Sequence, residues 1–392
     1  MADLSRFLDP PRLRTIEQGF EERHATWLEL FFDLVFVVAV AELGQNLTHD
    51  PTLHGFLLYV GLFIPVIWVW AGFTFYANRF DTDDLTYRLL VLLAMFAVAA
   101  LATNTPDAID KGGRGFAISF IFVRLVLLAL YARAIRYVPS ARRVASVYFA
   151  AFSVGVVIWL ISLLVPPPGR WWLWAAALVL ELGVPFYAWR RVPGAPVDPR
   201  HLPERFGLLT IIVLGESVLG VVLGVANTSW ELDSGLAAAG GFLAAAAVWW
   251  IYFDYLDESV VSRGSIAGLV FTYAHFPVII GIGTLGVGVK FEILAAAGNP
   301  NYEDTGWVLC AGVALCMIGL AAIHLATPPT LFDADAATRL ATAALALVLL
   351  AFSFVLPPLA LVWTLTALLV AQVIFELGRH EEHAGARVEL DL

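Results

Sequence analysis

Long apolar runs constrain this chain more than any other feature. Twelve stretches, about 27–48, 54–78, 86–104, 115–137, 143–165, 171–190, 204–226, 235–256, 265–289, 305–326, 338–356 and 358–378, are long and apolar enough to cross a bilayer, which takes roughly 20 residues of helix. Backbone polar groups in hydrocarbon must bond within their own segment, so such runs read as α-helices. Hydrophobic residues make up 60% of the chain and charged residues 14%, against about 45–50% and 25% in soluble domains. The expected fold is an all-α polytopic membrane protein of about twelve transmembrane helices.

The breaks between runs carry turn chemistry: Thr105-Pro106-Asp107, Pro166-Pro167-Pro168-Gly169, Pro193-Gly194-Ala195-Pro196 and Gly298-Asn299-Pro300. Pro357-Pro358 separates the last two runs without a polar loop. A hairpin is the first choice there, and one kinked helix the alternative. Met1–Ala25 is polar and charged, with no apolar core of a cleavable signal. The first apolar run is therefore expected to start insertion and stay.

Basic residues set the orientation. With a cytoplasmic N-terminus, 18 of the 23 lysines and arginines fall on the cytoplasmic side. They include Arg79, Arg88, Arg136, Arg143, Arg205 and Arg339. Lys111, Arg114, Arg170 and Lys290 fall on the other side, and Arg124 lies inside a span. Both termini are expected in the cytoplasm. The net charge of −10 leaves no basic face for a phosphate backbone, so no nucleic-acid partner is expected. Cys310 and Cys316 would stand about 240° apart on one helix, which disfavours a mutual disulfide.

The two halves look related. Ser162-Leu163-Leu164-Val165-Pro166-Pro167 aligns with Ser353-Phe354-Val355-Leu356-Pro357-Pro358 at an offset that also carries Trp172 onto Trp363 and Glu181 onto Gln372. Trp68-Val69-Trp70 has a counterpart in Trp249-Trp250, and Glu42 one in Glu216. Six spans per half give halves of like orientation, a parallel repeat. The expected organisation is a cytoplasmic segment 1–26, a first six-helix half 27–191, a cytoplasmic linker 192–203, a second half 204–378 and a cytoplasmic tail 379–392.

An ionisable side chain inside a bilayer needs a partner or a wet cavity. Thr26-Trp27-Leu28-Glu29 reads as a capping box opening the first span. Asp33 is one turn deeper, too deep for a cap, and Glu42 lies on the opposite face. Arg124, Glu181, Glu216 and His275 fall near mid-depth of their spans. Arg124 keeps its charge and needs one of Asp33, Glu42, Glu181 or Glu216; Glu216 or Glu42 is favoured. Four acids exceed one arginine and one histidine, and that surplus points to solute or ion binding or to proton coupling. His275 precedes Phe276-Pro277, a place where a helix breaks or kinks; a hydrogen-bonded packing role is the plainer reading.

Arg79, Asp81, Asp83 and Asp84 cluster after the second span, and Asp254 and Asp257 after the eighth. Hard cations want several oxygens, but a salt-bridge lattice locking loops is the expected reading, with no metal site. Gly281-Ile282-Gly283-Thr284-Leu285-Gly286 spells G-x-G-x-x-G inside a span, so close helix packing is expected rather than dinucleotide binding. Gly220 and Gly224 read likewise. His380-Glu381-Glu382-His383 reads as a solvated tail. No nucleotide-binding motif is present, and no cofactor is expected.

Arg23-His24-Ala25-Thr26-Trp27-Leu28-Glu29-Leu30-Phe31-Phe32-Asp33-Leu34-Val35-Phe36-Val37 resembles the opening signature of the bacterial low temperature requirement A (LtrA) membrane proteins. Tyr76-Ala77-Asn78-Arg79-Phe80-Asp81-Thr82-Asp83-Asp84 resembles the family's second signature. Glu204-Arg205-Phe206-Gly207 through Leu214-Gly215-Glu216-Ser217 resembles a third, and Tyr273-Ala274-His275-Phe276-Pro277 a fourth. The resemblance covers nearly the whole chain. It implies a place in the bacterial cell (inner) membrane and names no substrate.

Four functions compete. A secondary transporter or permease for a small solute or ion follows from twelve spans, a parallel repeat and polar groups at like depth. An ion channel, as a homo-oligomer, would line a pore with the same residues. An intramembrane lipid-modifying enzyme would need a convergent catalytic set, and the acids and histidine are only loosely collected. A receptor or scaffold finds no signalling module in the short loops. The transporter comes first, with the lipid bilayer and a small solute or ion as its partners.

Overall fold

The computed structural model describes residues 10–13, 25–81, 83–110, 112–192, 201–255, 265–325 and 334–390. It is almost entirely helical. The helices are α1 (Trp27–His49), α2 (Leu53–Arg79), α3 (Leu85–Thr103), α4 (Asp107–Asp110), α5 (Arg114–Tyr137), α6 (Arg142–Ser162), α7 (Gly169–Arg191), α8 (His201–Ala226), α9 (Leu232–Tyr255), α10 (Ser265–Ala296), α11 (Gly306–Leu325), α12 (Ala334–Phe352) and α13 (Pro358–Leu390). Two short strands, β1 (Arg12–Leu13) and β2 (Phe80–Asp81), pair antiparallel. Among the described residues, eleven helices are long and apolar enough to cross a membrane. The chain is therefore a multi-pass membrane protein in character. The eleven do not include α1, which carries Glu29, Asp33 and Glu42.

Local chemistry sets several helix ends. Thr26 and Glu29 form the reciprocal capping box: Thr26 N donates to Glu29 Oε2 at 2.8 Å, and Glu29 N donates to Thr26 Oγ1 at 3.3 Å. Asp84 caps α3 by accepting from the amides of Thr86 and Tyr87. Gly113, before α5, has φ +62°, and a Cβ there would stand 2.4 Å from Ala108 O, so only glycine fits. Residues 353–356 turn the chain between α12 and α13, and Pro358 opens α13. The last two apolar runs are thus separate helices. One expected boundary moves: the ninth span does not stop at 289, because α10 runs to Ala296. Nothing breaks the helix before Gly298-Asn299-Pro300, so Lys290 and Glu292 lie inside it.

The chain divides into two compact units, Met1–His49 with His54–Leu208, and Asp50–Leu53 with Leu209–Leu392. The division falls within α8. In the first unit α2 is the hub. Phe73 meets Phe32 of α1, Tyr76 bonds the Leu130 carbonyl of α5, and Trp70 packs edge-on against Phe206 of α8.

In the second unit α10 is the buried axis, and small residues bring its neighbours close. A Cβ on Gly281 would stand 2.5 Å from Cys316 N of α11, and one on Gly288 2.5 Å from Leu309 Cα. From α11, a Cβ on Gly312 would meet Leu285 N at 2.5 Å. From α8, a Cβ on Gly220 would meet Gly286 O at 2.3 Å, and Ser217 Oγ donates to Ile282 O at 3.0 Å. The G-x-G-x-x-G run is a helix-packing surface.

Candidate functional site

In the first unit, two buried ion pairs flank α2. Trp68 and Trp70 lie about 200° apart on the helix, so their indoles point to different neighbours. Trp68 Nε1 donates to Glu181 Oε2 of α7 at 3.0 Å. Arg124 Nη2 of α5 lies 2.8 Å from the same oxygen, and both charged side chains are fully buried. The rings of Phe120 and Phe152 lie 4.9 and 5.1 Å from the guanidinium carbon. Glycines make room for the pair: a Cβ on Gly155 would stand 2.3 Å from Glu181 Oε1, and one on Gly72 3.0 Å from Arg124 Nη1. Those two polar atoms have no hydrogen-bond partner and face glycine backbone instead.

On the other side of α2, Trp70 Nε1 donates to Asp33 Oδ1 at 2.8 Å, and Arg205 Nη2 of α8 donates to the same oxygen at 2.6 Å. Asp33 Oδ2 and two nitrogens of Arg205, Nε and Nη1, have no hydrogen-bond partner. One turn toward the helix starts, Glu29 Oε2 lies 3.6 Å from His201 Nε2. Asn78 Nδ2 is 3.4 Å from His201 Nδ1. Glu29 and Asp33 are spaced i, i+4, as are His201 and Arg205, so each pair shares a helix face. The two rungs show α1 and the start of α8 running parallel. Ala25 N donates to Glu204 Oε1 at 3.1 Å and ties the same ends together.

The polar cluster expected at the end of α2 forms discrete pairs. Arg133 Nη1 and Nη2 donate to Asp84 Oδ1 and Oδ2 at 2.8 and 2.7 Å. Exposed Arg88 grips Asp83 through Nε and Nη2 at 2.9 and 2.7 Å. Arg79 is buried, with Nη2 3.4 Å from Tyr148 Oη and its guanidinium carbon 5.0 Å from that ring. Asp81 pairs its backbone with Arg12; its side chain, and Asp257, lie outside the described residues. Asp254 is exposed. Among the described residues, no three His, Cys, Asp or Glu converge on a possible metal position.

In the second unit, Glu216 of α8 is half-buried, and its Oε2 has no hydrogen-bond partner. Lys290 of α10 is the cation that acts on it. His275 is buried, with Nδ1 2.6 Å from Phe271 O and Nε2 2.9 Å from Tyr252 Oη. A neutral ring satisfies both contacts, with Nδ1–H donating and Nε2 accepting. Thr210 also bonds Tyr252. Arg339 of α12 donates to both oxygens of Glu376 at 3.1 and 3.2 Å. Gln372 Nε2 donates to Glu376 Oε1 at 2.9 Å, and Thr342 Oγ1 donates to Gln372 Oε1 at 2.6 Å. Glu42, on α1 of the first unit, is half-buried and makes no hydrogen bond or ion pair among the described residues.

One expectation needs correction. Arg124 is held by Glu181, not by Glu216 or Glu42, because α5 and α7 both pack on α2, where the Trp68 indole donates to the same Glu181 oxygen. Arg205 and Arg339, counted only as cytoplasmic-side charges, are each buried against a carboxylate of another helix. Counting charges near span ends missed both partners. The matching i, i+4 spacing of Glu29/Asp33 and His201/Arg205 was the available signal.

Residues 24–374 match the family model described as "Bacterial low temperature requirement A protein (LtrA)". A protein of Rhizobium meliloti (strain 1021), described as uncharacterised, is 31% identical over 300 residues, 71% of each chain.

Proposed function

Because the chain belongs to the bacterial low temperature requirement A family, we propose that it is a secondary transporter or permease of the bacterial inner membrane, with Glu216 as its proton-coupling carboxyl and a small solute or ion as its cargo. The contrast among its buried acids carries this reading. Asp33 and Glu181 are each held by an arginine and a tryptophan. Glu216 has neither; one of its oxygens is unpartnered, as in those two acids, but it is half-buried, makes no ion pair among the described residues and has Lys290 as its acting cation, beside the close α8–α10 crossing at Ser217 and Gly220. A carboxyl with spare hydrogen-bonding capacity there suits a site that is loaded and unloaded.

The proposal includes twelve spans, with α1 counted beside the eleven, cytoplasmic termini, and two six-helix halves, 27–191 and 204–378, related as a parallel repeat with Glu42 as the counterpart of Glu216. The aligned pair Glu181 and Gln372, both buried and both bonded to side chains of other residues, supports that arrangement. The tryptophan pairs do not follow it: Trp68 and Trp70 are buried, whereas Trp249 and Trp250 are 47% and 44% exposed.

Proteoliposomes loaded with a pH-sensitive dye test the reading. Amino acids and monovalent and divalent cations are offered in turn, and folding is checked by size-exclusion profile. Solute-dependent proton movement is expected with wild type and with Asp83→Asn, and lost with Glu216→Gln. A wild-type protein that moves no protons with any solute overturns the proposal, as does Glu216→Gln at wild-type rate. Proton current without any solute gradient would instead indicate a channel.

A further inference from the structure

From Arg114 to Arg191, covering α5, α6 and α7, the sequence carries nine arginines and one acid, Glu181, in a chain of net charge −10. Their positions differ sharply. Arg124 is held by Glu181 and Arg133 by Asp84. Arg170 donates to the carbonyls of Ser162 and Gly112. Arg114 is exposed at the start of α5. The remaining five, Arg136, Arg142, Arg143, Arg190 and Arg191, are all exposed, and none pairs with an acid among the described residues.

Those five share one end of the first unit. Residues 138–141 join α5 to α6, and residues 163–168 join α6 to α7. Links that short make antiparallel neighbours. The end of α5, the start of α6 and the end of α7 therefore lie together. Tyr137, Tyr187 and Trp189 are exposed beside the arginines, and such amphipathic rings favour the headgroup level of a bilayer. Below them, Val154, Val157, Leu160 and Val179 leave the outer faces of α6 and α7 apolar and uncovered. Acyl chains lying along those faces would bring their phosphates to the arginines, and guanidinium groups bind phosphate with paired, charge-assisted hydrogen bonds.

We propose that this end of α5, α6 and α7 is a binding surface for anionic phospholipid, suited to a headgroup with more than one phosphate. Arg88 provides an internal comparison. It is exposed at the same end, since α3 starts where Asp84 meets Arg133, but Asp83 already neutralises it.

The test is native mass spectrometry of the delipidated full-length protein offered equal cardiolipin and phosphatidylcholine. Wild type and Arg88→Gln are expected to retain cardiolipin preferentially. Arg143→Gln and the double variant Arg190→Gln/Arg191→Gln are expected to lose that preference by about fivefold per arginine removed. All of these side chains are exposed, so folding should be unchanged, and size-exclusion profiles check it. Equal retention of the two lipids by wild type overturns the proposal. So does an undiminished preference in both arginine variants. Displacement of cardiolipin by millimolar inorganic phosphate would also overturn it, because the arginines would then be reading a free anion.

Discussion

Trp68 and Trp70 stand two residues apart on α2 and donate their indole N–H groups to two different buried carboxylates, Glu181 at 3.0 Å and Asp33 at 2.8 Å. One short sequence thus fixes an acid on either side of one helix. Each acid also meets an arginine from another helix, so α1, α5, α7 and α8 are all tied to α2. The two trios have the same chemistry on different elements. A buried carboxylate needs several donors, and an indole supplies one without adding charge.

Removing either indole donor should weaken the fold by a similar amount. Trp68→Phe and Trp70→Phe keep most of the buried ring area but leave a charged acceptor short of a donor, which costs about 1.5–3 kcal/mol. Denaturant unfolding in detergent measures it. Because the two sites lie on opposite sides of α2, the double variant should be additive within about 0.5 kcal/mol. A large coupling would show that the two trios form one network.

The Arg124–Glu181 pair should behave as a locked unit. Arg124→Met or Glu181→Leu alone leaves a buried uncompensated charge and should cost about 3–5 kcal/mol, whereas the combined change should recover most of that loss. The same unfolding measurement, run as a double-mutant cycle, reads the coupling. A double variant no better than the worse single one would mean that the ions do more than neutralise each other.

Gly155 owes its identity to Glu181. A methyl group there would stand 2.3 Å from Glu181 Oε1, so Gly155→Ala should destabilise by about 1–3 kcal/mol despite alanine's better helix propensity. Gly61 and Gly183 have open space around the added Cβ. Gly61→Ala and Gly183→Ala should therefore be neutral or stabilising by up to about 1 kcal/mol. Thermal midpoints of the three variants, compared in one detergent, separate the cases.

The helices were legible in the sequence because hydrocarbon leaves the backbone no alternative. Their ends followed from Thr26 and the proline-rich turns, whereas Asp84, read as part of a polar cluster, caps α3. The polar interior was only half legible. Sequence depth identified Asp33, Arg124 and Glu181 as buried, but not which acid meets Arg124, since that depends on which helices share α2. Arg205 and Arg339 lie just inside their helix starts, where sequence reads a cation as interfacial; burial came from the neighbouring helix, which no single segment reports. Lys290 and Glu292 escaped for the opposite reason: hydropathy falls at 290, but the helix continues until glycine and proline stop it at 298–300. The G-x-G-x-x-G run was read correctly because a helical setting excludes the strand-to-helix turn that the dinucleotide motif requires.

Orientation is open to a direct chemical test. The basic-residue asymmetry predicts Arg143 on the cytoplasmic side and Arg114 on the other, one at each end of the α5–α6 hairpin. Both side chains are exposed, so a cysteine at either place is reachable once the correct side is offered. The native thiols, Cys310 and Cys316, are buried and should give little background. On intact cells a membrane-impermeant maleimide should label Arg114→Cys and leave Arg143→Cys unlabelled until the membrane is permeabilised. The same outcome would place the five-arginine surface against the cytoplasmic leaflet. The reverse labelling pattern would invert the topology and move that surface to the outer leaflet, while leaving its charge and its lipid preference unchanged.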